Sequence, residues 1–171
     1  MKKSFLALLL AACMLPALGL AAGSVLMVEL PQDAQMVENV EFDDGDFIQT
    51  YQLSGGARVQ LLRSASFEMT LSDLIASEWV GFTDVRELGV STIGGCPAEG
   101  LRFAYQEEGQ TALDVTVALV KTDDGVLVFE AVFPATLGDA QIDATVQAML
   151  ASMDVMRTEE EAPADETAEV G

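Results

Sequence analysis

The strongest constraint on the fold is a run of three apolar-rich segments joined by two short turns. The segments cover residues 101–105, 112–121 and 126–133, and in the first two the apolar residues alternate with others. The turns carry Glu107-Glu108-Gly109 and Asp123-Asp124-Gly125, in which glycine permits the backbone angles of a tight turn. Strands joined this closely pair antiparallel, because a parallel connection needs a long crossover. The sequence therefore predicts an antiparallel β meander in this region.

More strands are predicted upstream of the meander. Residues 47–53 and 57–63 flank Ser54-Gly55-Gly56, a pattern that indicates a hairpin. Residues 25–30 and 88–93 are also rich in β-forming residues and predict two further strands. Together with the meander they give a mainly antiparallel sheet of about six or seven strands.

Two segments have a helical period instead. Thr70 and Asp73 have the spacing of a capping box, and the apolar stripe that follows them predicts a first helix. A second stripe near the end of the chain predicts another helix, with Asp139 as its N-cap. Each stripe needs a sheet face to cover it, so the sequence predicts an α+β fold with two packed amphipathic helices. The two stripes are Leu71, Leu74, Ile75 and Trp79, and Ile142, Val146, Met149, Leu150 and Met153.

This order of elements resembles the PsbP-like fold, which includes an extrinsic photosystem subunit and many exported bacterial proteins of unknown role. The residues that carry the likeness are Val28-Glu29-Leu30-Pro31, the helix at 71–79, Gly94-Gly95-Cys96-Pro97 leading into Leu101-Arg102-Phe103, and the ending at 149–153. The aromatic residue that the family has soon after the first-strand proline is missing here. The resemblance implies an α/β/α sandwich and a scaffold, and it implies no single function.

The first residues have the three zones of an export signal. Lys2 and Lys3 precede a long apolar run, and small residues near Ala21 and Ala22 suit signal peptidase, so residues 1–22 are predicted to be a cleaved signal peptide. Residues 25–156 are then a single α+β domain with no membrane span, and residues 157–171 an acidic disordered tail.

An alternative processing route is open. Leu10-Ala11-Ala12-Cys13 matches a lipobox, so that Cys13 could be lipidated and anchor the protein to the outer face of the membrane. Either route predicts a secreted or otherwise extracytoplasmic protein. Cys96 is the one cysteine with a free thiol on either route, since Cys13 is removed or lipidated, so an internal disulfide is not expected.

Charge limits the partners. All 28 acidic residues follow residue 22, together with six of the eight basic ones, so the mature chain has a net charge of −22. Such a field repels nucleic acid and anionic lipid, and neither is predicted as a partner.

Residue types limit the chemistry. The sequence has no histidine, which excludes imidazole bases and histidine-ligated metals. Lys121 lies at a predicted strand end, where its amine would be protonated. Carboxylates are abundant, so a carboxylate-dependent hydrolase remains an alternative. The residues therefore favour a non-enzymatic binding or accessory module without a cofactor, for an unknown protein or small-molecule ligand.

Two groups of residues are candidates for a site. Asp43, Asp44 and Asp46, with Glu38 and Glu41, are weak candidates for calcium ligands, although their spacing does not match the twelve-residue calcium loop. A solvated acidic loop is the other interpretation. The aromatic residues Trp79, Phe82 and Tyr105 could line a ligand groove, but core packing is favoured for them.

Overall fold

The computed structural model describes residues 23–66 and 70–158. Within these residues the chain forms ten strands and two helices. In chain order they are β1 (Gly23–Met27), β2 (Gln35–Glu41), β3 (Phe47–Gln52), β4 (Arg58–Ser64), α1 (Leu71–Glu78), β5 (Thr83–Glu87), β6 (Thr92–Ile93), β7 (Cys96–Tyr105), β8 (Leu113–Thr122), β9 (Gly125–Pro134), α2 (Asp139–Ser152) and β10 (Asp154–Thr158).

The predicted meander forms the centre of the main sheet. Strand β8 pairs antiparallel with β7 on one side and with β9 on the other, and β9 also pairs antiparallel with β4. The full order is β2-β3-β4-β9-β8-β7-β5, with β6 paired to β7, so β2 and β5 are the two edges. The predicted hairpin joins β3 to β4, and Gly55 and Gly56 at its turn both have positive φ.

The sheet is covered on both faces, which confirms the α+β class. Strand β8 shows the arrangement because its side chains alternate between two cores. Val117 and Leu119 belong to the core beneath α1, whereas Ala118 and Val120 belong to the core beneath α2. One helix therefore lies on each face, and the cores are built by burial of aliphatic side chains.

The two helices begin differently. Thr70 and Asp73 form the predicted capping box, in which the Asp73 N–H donates to the Thr70 hydroxyl and the Asp73 carboxylate accepts from the Thr70 N–H. Helix α2 forms as predicted, but Asp139 is not its N-cap, because Gly138 holds that position and makes no side-chain cap. Asp139 is instead the first helical residue, where its charge favours the positive end of the helix dipole.

Three strand predictions need correction. The first strand ends at Met27, three residues before the predicted end. The strand predicted at 88–93 is replaced by β5 and the two-residue β6, because Gly89 has a φ of 69° and interrupts the extended chain. Strand β2 was not predicted, and it includes Glu38 and Glu41 of the acidic run for which a solvated loop was one interpretation. The observed ten strands thus exceed the predicted six or seven.

The two ends of the described chain pair with each other. Strands β1 and β10 form a separate two-stranded sheet, in which Gly23 faces Thr158 and Ser24 faces Arg157. This extends the folded region two residues past the predicted boundary at 156. The predictions for residues 1–22, including cleavage near Ala21 and Ala22 and lipidation of Cys13, and for residues 159–171 lie outside the described residues.

Asp124 fastens this small sheet to the β8–β9 turn. Its carboxylate accepts hydrogen bonds from the N–H and hydroxyl of Ser24, at 2.7 and 2.6 Å, and from Thr122 and Arg63. Burial alone would raise the pKa of Asp124, but these hydrogen bonds hold it well below its usual range. Across residues 23–66 and 70–158, none of the helices is both long enough and apolar enough to span a bilayer.

Candidate functional site

One half of the sheet lacks a helix on the α1 face. Helix α1 has only eight residues, and its buried side chains Leu71 and Ile75 pack in a core whose other buried members come from β7, β8 and β9. Strands β2, β3 and β4 lie beyond β9 in the sheet order and contribute no buried side chain to the core under α1. A groove of about 300 Å³ runs along this open half, from the β2–β3 turn to α1. Its size is at the lower end of the range for ligand sites.

The floor of the groove is an apolar row that crosses the strands. The sheet register places Val40 opposite Ile48, Ile48 opposite Leu62, and Leu62 opposite Val128. Residues directly opposite each other lie on the same face of a sheet. Val128 is buried, Leu62 and Ile48 are half-buried, and Val40 is exposed. The row therefore becomes more exposed from the core toward the β2 edge.

A polar row lies beside the apolar one. Glu38, Thr50, Gln60 and Glu130 occupy successive opposite positions on β2, β3, β4 and β9. The Thr50 hydroxyl donates to Glu38 at 2.8 Å, and the Gln60 amide donates to Thr50 at 3.3 Å. These hydrogen bonds fix the side chains that border the floor, so the groove has a defined polar wall.

Glu130 is a buried carboxylate at the α1 end of this wall. It is 6% exposed and lies in the middle of an otherwise apolar strand. Its two oxygens accept from the Arg58 guanidinium at 2.9 Å and from the Trp79 indole N–H at 3.2 Å. A buried charge is tolerated when it is paired in this way.

Glu78, the last residue of α1, lines the groove together with Glu130. Partial burial of its carboxyl, and after it the negative charge of Glu130, raise the pKa of Glu78 above its ordinary 4.5, against a smaller lowering by Arg58. Among the described residues no cation forms a salt bridge with Glu78. At its α1 end the groove thus holds the paired carboxylate of Glu130 and the carboxylate of Glu78, which has no salt-bridge partner among the described residues.

The weak metal candidates lie at the other end of the groove. Asp44 and Asp46 line it, and Asp43 is exposed on the same turn. The Asp46 carboxylate accepts from the Ala65 N–H at 2.6 Å and the Ser64 hydroxyl at 2.9 Å, while Asp44 accepts from the Asp46 N–H. Asp46 therefore joins the turn to the end of β4. In the part of the chain that the structure describes, no three acidic, cysteine or histidine side chains form a group that could hold a metal ion.

The aromatic candidates pack against one another in the core under α1. The Trp79 ring meets Tyr105 edge-on at 5.0 Å and Phe103 at 6.0 Å, and Phe82 contacts Phe103 at 5.3 Å. None of the three candidates lines the groove, and Trp79 reaches it only through its hydrogen bond to Glu130.

The remaining candidates lie away from the groove. Cys96 is half-buried against the α2-side core at the start of β7, and Lys121 lies 3.4 Å from Glu99 in an exposed ion pair. Sequence reasoning missed Glu78, Glu130 and the floor residues. The one available signal was Glu130, a single charged residue among the apolar residues of GVLVFEAVFP.

Comparisons with solved structures find proteins of similar fold at low sequence identity. The chain is similar to LpqN, described as involved in cell envelope biogenesis of Mycobacterium tuberculosis, at 14% identity over 80% of this chain and 86% of that one, with a TM-score of 0.43. It is also similar to PA94, a protein of unknown function from Pseudomonas aeruginosa, at 16% identity over 78% and 84% of the two chains, with a TM-score of 0.37. No protein-family model and no curated protein matches the sequence. Likeness at this level carries no functional conclusion, and the PsbP-like resemblance stays a prediction.

Proposed function

We propose that the mature chain is an extracytoplasmic, non-enzymatic binding module and that the groove on the open half of the sheet is its binding site. The observation that carries this proposal is the apolar floor of Ile48, Leu62 and Val128, which Val40 continues to the sheet edge, beside a row of hydrogen-bonded polar side chains. An apolar surface with a few fixed polar groups is typical of ligand sites. The export signal in residues 1–22 supports the location.

A carboxylate-dependent hydrolase is the second candidate, and one observation favours it. Glu78 and Glu130 are two acids in one groove, and after partial burial the negative charge of Glu130 contributes to the raised pKa of Glu78. Binding is nevertheless the better supported function. Both oxygens of Glu130 are already engaged by Arg58 and Trp79, and a catalytic base or nucleophile needs a lone pair directed at the substrate.

Three small amphiphiles with six carbons each test the groove: hexylamine, hexanol and hexanoate. Added to the isotope-labelled chain from Gly23 onward, at least one is expected to shift the backbone amide NMR signals of Ile48, Leu62 and Val128, with an affinity on the order of millimolar. The variant Leu62→Gln removes apolar floor and is expected to weaken this binding by roughly threefold to tenfold.

The matched control is Val85→Gln, which removes an exposed apolar side chain from β5 at the opposite edge of the sheet. It is expected to leave binding unchanged. Shifts confined to other surfaces, or equal loss in the two variants, would contradict the assignment of the groove. Hydrolysis of chromogenic glycosides that Glu78→Gln abolishes would replace the binding function with the hydrolase.

A lipid-anchored accessory protein is the alternative form of the same module, since residues 10–13 match the lipobox pattern and the residues near Ala21 and Ala22 suit signal peptidase. The exact mass of the protein recovered from its native envelope separates them. Soluble export predicts a mass that begins near Gly23, whereas anchoring predicts a chain that begins at Cys13 and carries acyl groups. A mass that retains residues 1–12 would contradict both forms.

A further inference from the structure

We infer that the groove binds an extended segment of a partner protein, one that carries a lysine or arginine beside aliphatic residues and places that cation next to Glu78. This inference rests on the proposed function and names the class of its ligand. Two observations support it: the charges of the groove, and the exposed apolar side chains on β2 and just after it.

The groove has an excess of negative charge. Four acids line it, namely Asp44, Asp46, Glu78 and Glu130, against the single cation Arg63. Arg63 is itself engaged by Asp124 at 3.2 Å and by the Gly45 carbonyl at 2.5 Å. Arg58, beside the groove, is engaged by Glu130. A cationic ligand complements this site, whereas an anionic one would meet repulsion from the acids and from the mature chain as a whole.

Glu78 is the carboxylate with which such a cation would pair. It lies at the end of α1 beside the apolar side chain of Leu74, and the described residues supply no salt bridge to it. The nearby Glu130 carboxylate repels its charge. A bound ammonium or guanidinium group would offset that repulsion, which gives the site a preference for cations over neutral groups.

The apolar surface is longer than the groove, and this indicates an extended occupant. Four of the eight large apolar side chains that are exposed among the described residues fall between positions 36 and 42, on β2 and just after it. Val37 is 61% exposed, Phe42 is 50% exposed, and Val40 continues the groove floor to the edge. A small amine would leave this surface in water. A segment running along β2 would cover it and could pair with the free edge of the strand.

A second copy of this chain fits the same edge poorly. Pairing β2 with itself would bring Glu38 and Glu41 of one copy toward the same acids of the other. Like charges on facing strands are destabilising, and acidic residues on an edge strand oppose self-association. The partner that matches the edge is therefore basic where this chain is acidic.

Short synthetic peptides test the inference. One alternates valine with lysine, a second replaces each lysine by glutamate, and a third replaces each valine by serine. The valine–lysine peptide is expected to shift the amide signals of Val40, Ile48 and Glu78, and to bind at least tenfold more tightly than the other two. In calorimetry, Glu78→Gln is expected to weaken its binding by roughly threefold to tenfold.

Glu108→Gln is the control, because Glu108 is an exposed acid in the β7–β8 turn and its loss changes net charge equally. Equal weakening by the two variants would mean general charge attraction and would overturn the inference. If hexylamine binds in the groove but no peptide shifts β2, the extended partner is wrong and the binding function stands. If none of the peptides and none of the three six-carbon amphiphiles binds there, both the extended partner and the binding function are wrong.

Discussion

The variant Val146→Asp is expected to lose most or all of its native structure. Val146 is 0% exposed on α2 and packs in the core beneath that helix, among side chains such as Val59 and Phe129. The apolar cluster holds no cation, so an aspartate there must be buried either as an unpaired charge or in its protonated form. Either form lowers the free energy of unfolding by roughly several kcal/mol, a large share of the ~5–15 kcal/mol that stabilises a domain.

Urea denaturation followed by far-ultraviolet circular dichroism measures this effect. The control is Gln147→Asp, which adds the same charge one residue along, on the exposed side of α2. It is expected to change the free energy of unfolding by no more than about 0.5 kcal/mol. Similar urea midpoints for the parent and Val146→Asp would show that Val146 of α2 is not buried against this face of the sheet.

The second large effect is expected for Arg102→Met. Arg102 is 6% exposed on the α2 face, where it donates two hydrogen bonds to Asp114, at 2.6 and 2.8 Å, and one to Asp143 of α2. Methionine keeps much of the aliphatic stem and removes the charge, which leaves Asp114 mostly buried beside an apolar group. Removing one member of a buried ion pair costs about 3–5 kcal/mol.

Arg86→Met provides the comparison, since Arg86 approaches the same Asp114 at 3.9 Å but its side chain is 61% exposed. An exposed ion pair contributes about 0–1 kcal/mol, so this variant should unfold close to the parent midpoint. Adding Asp114→Asn to Arg102→Met should recover part of the loss, because the unpaired charge is then gone. Equal destabilisation by the two arginine variants would refute the role of the buried network.

The elements that could be predicted from sequence are those that bury one face, because burial imposes a periodic pattern of apolar residues. The meander was predictable because β7 and β8 alternate and because their turns contain glycine. Strands β2 and β5 were not, since every residue in each of them is exposed and their sequences carry no burial pattern. They are strands because the sheet offers them a hydrogen-bonding edge, and that is a tertiary property.

The groove was beyond sequence reasoning for a similar reason. It exists because α1 is too short to cover the strands beside it, and only the assembled sheet shows which strands those are. Glu78 and Glu130 come from distant parts of the chain, and no spacing rule connects them. The acidic residues at 43–46 suggested a calcium site because they lie close together in sequence. In the structure, the Asp46 carboxylate instead joins the β2–β3 turn to the end of β4.

The pairing of β1 with β10 has a consequence for the timing of folding. The first strand of the described chain has its partner at the very end, so it stays unpaired until Thr158 has been synthesised and, for an exported chain, has crossed the membrane. Contacts this far apart in sequence form slowly. In a chain that crosses a membrane unfolded, the β1–β10 sheet would therefore close only after residues 154–158 have crossed.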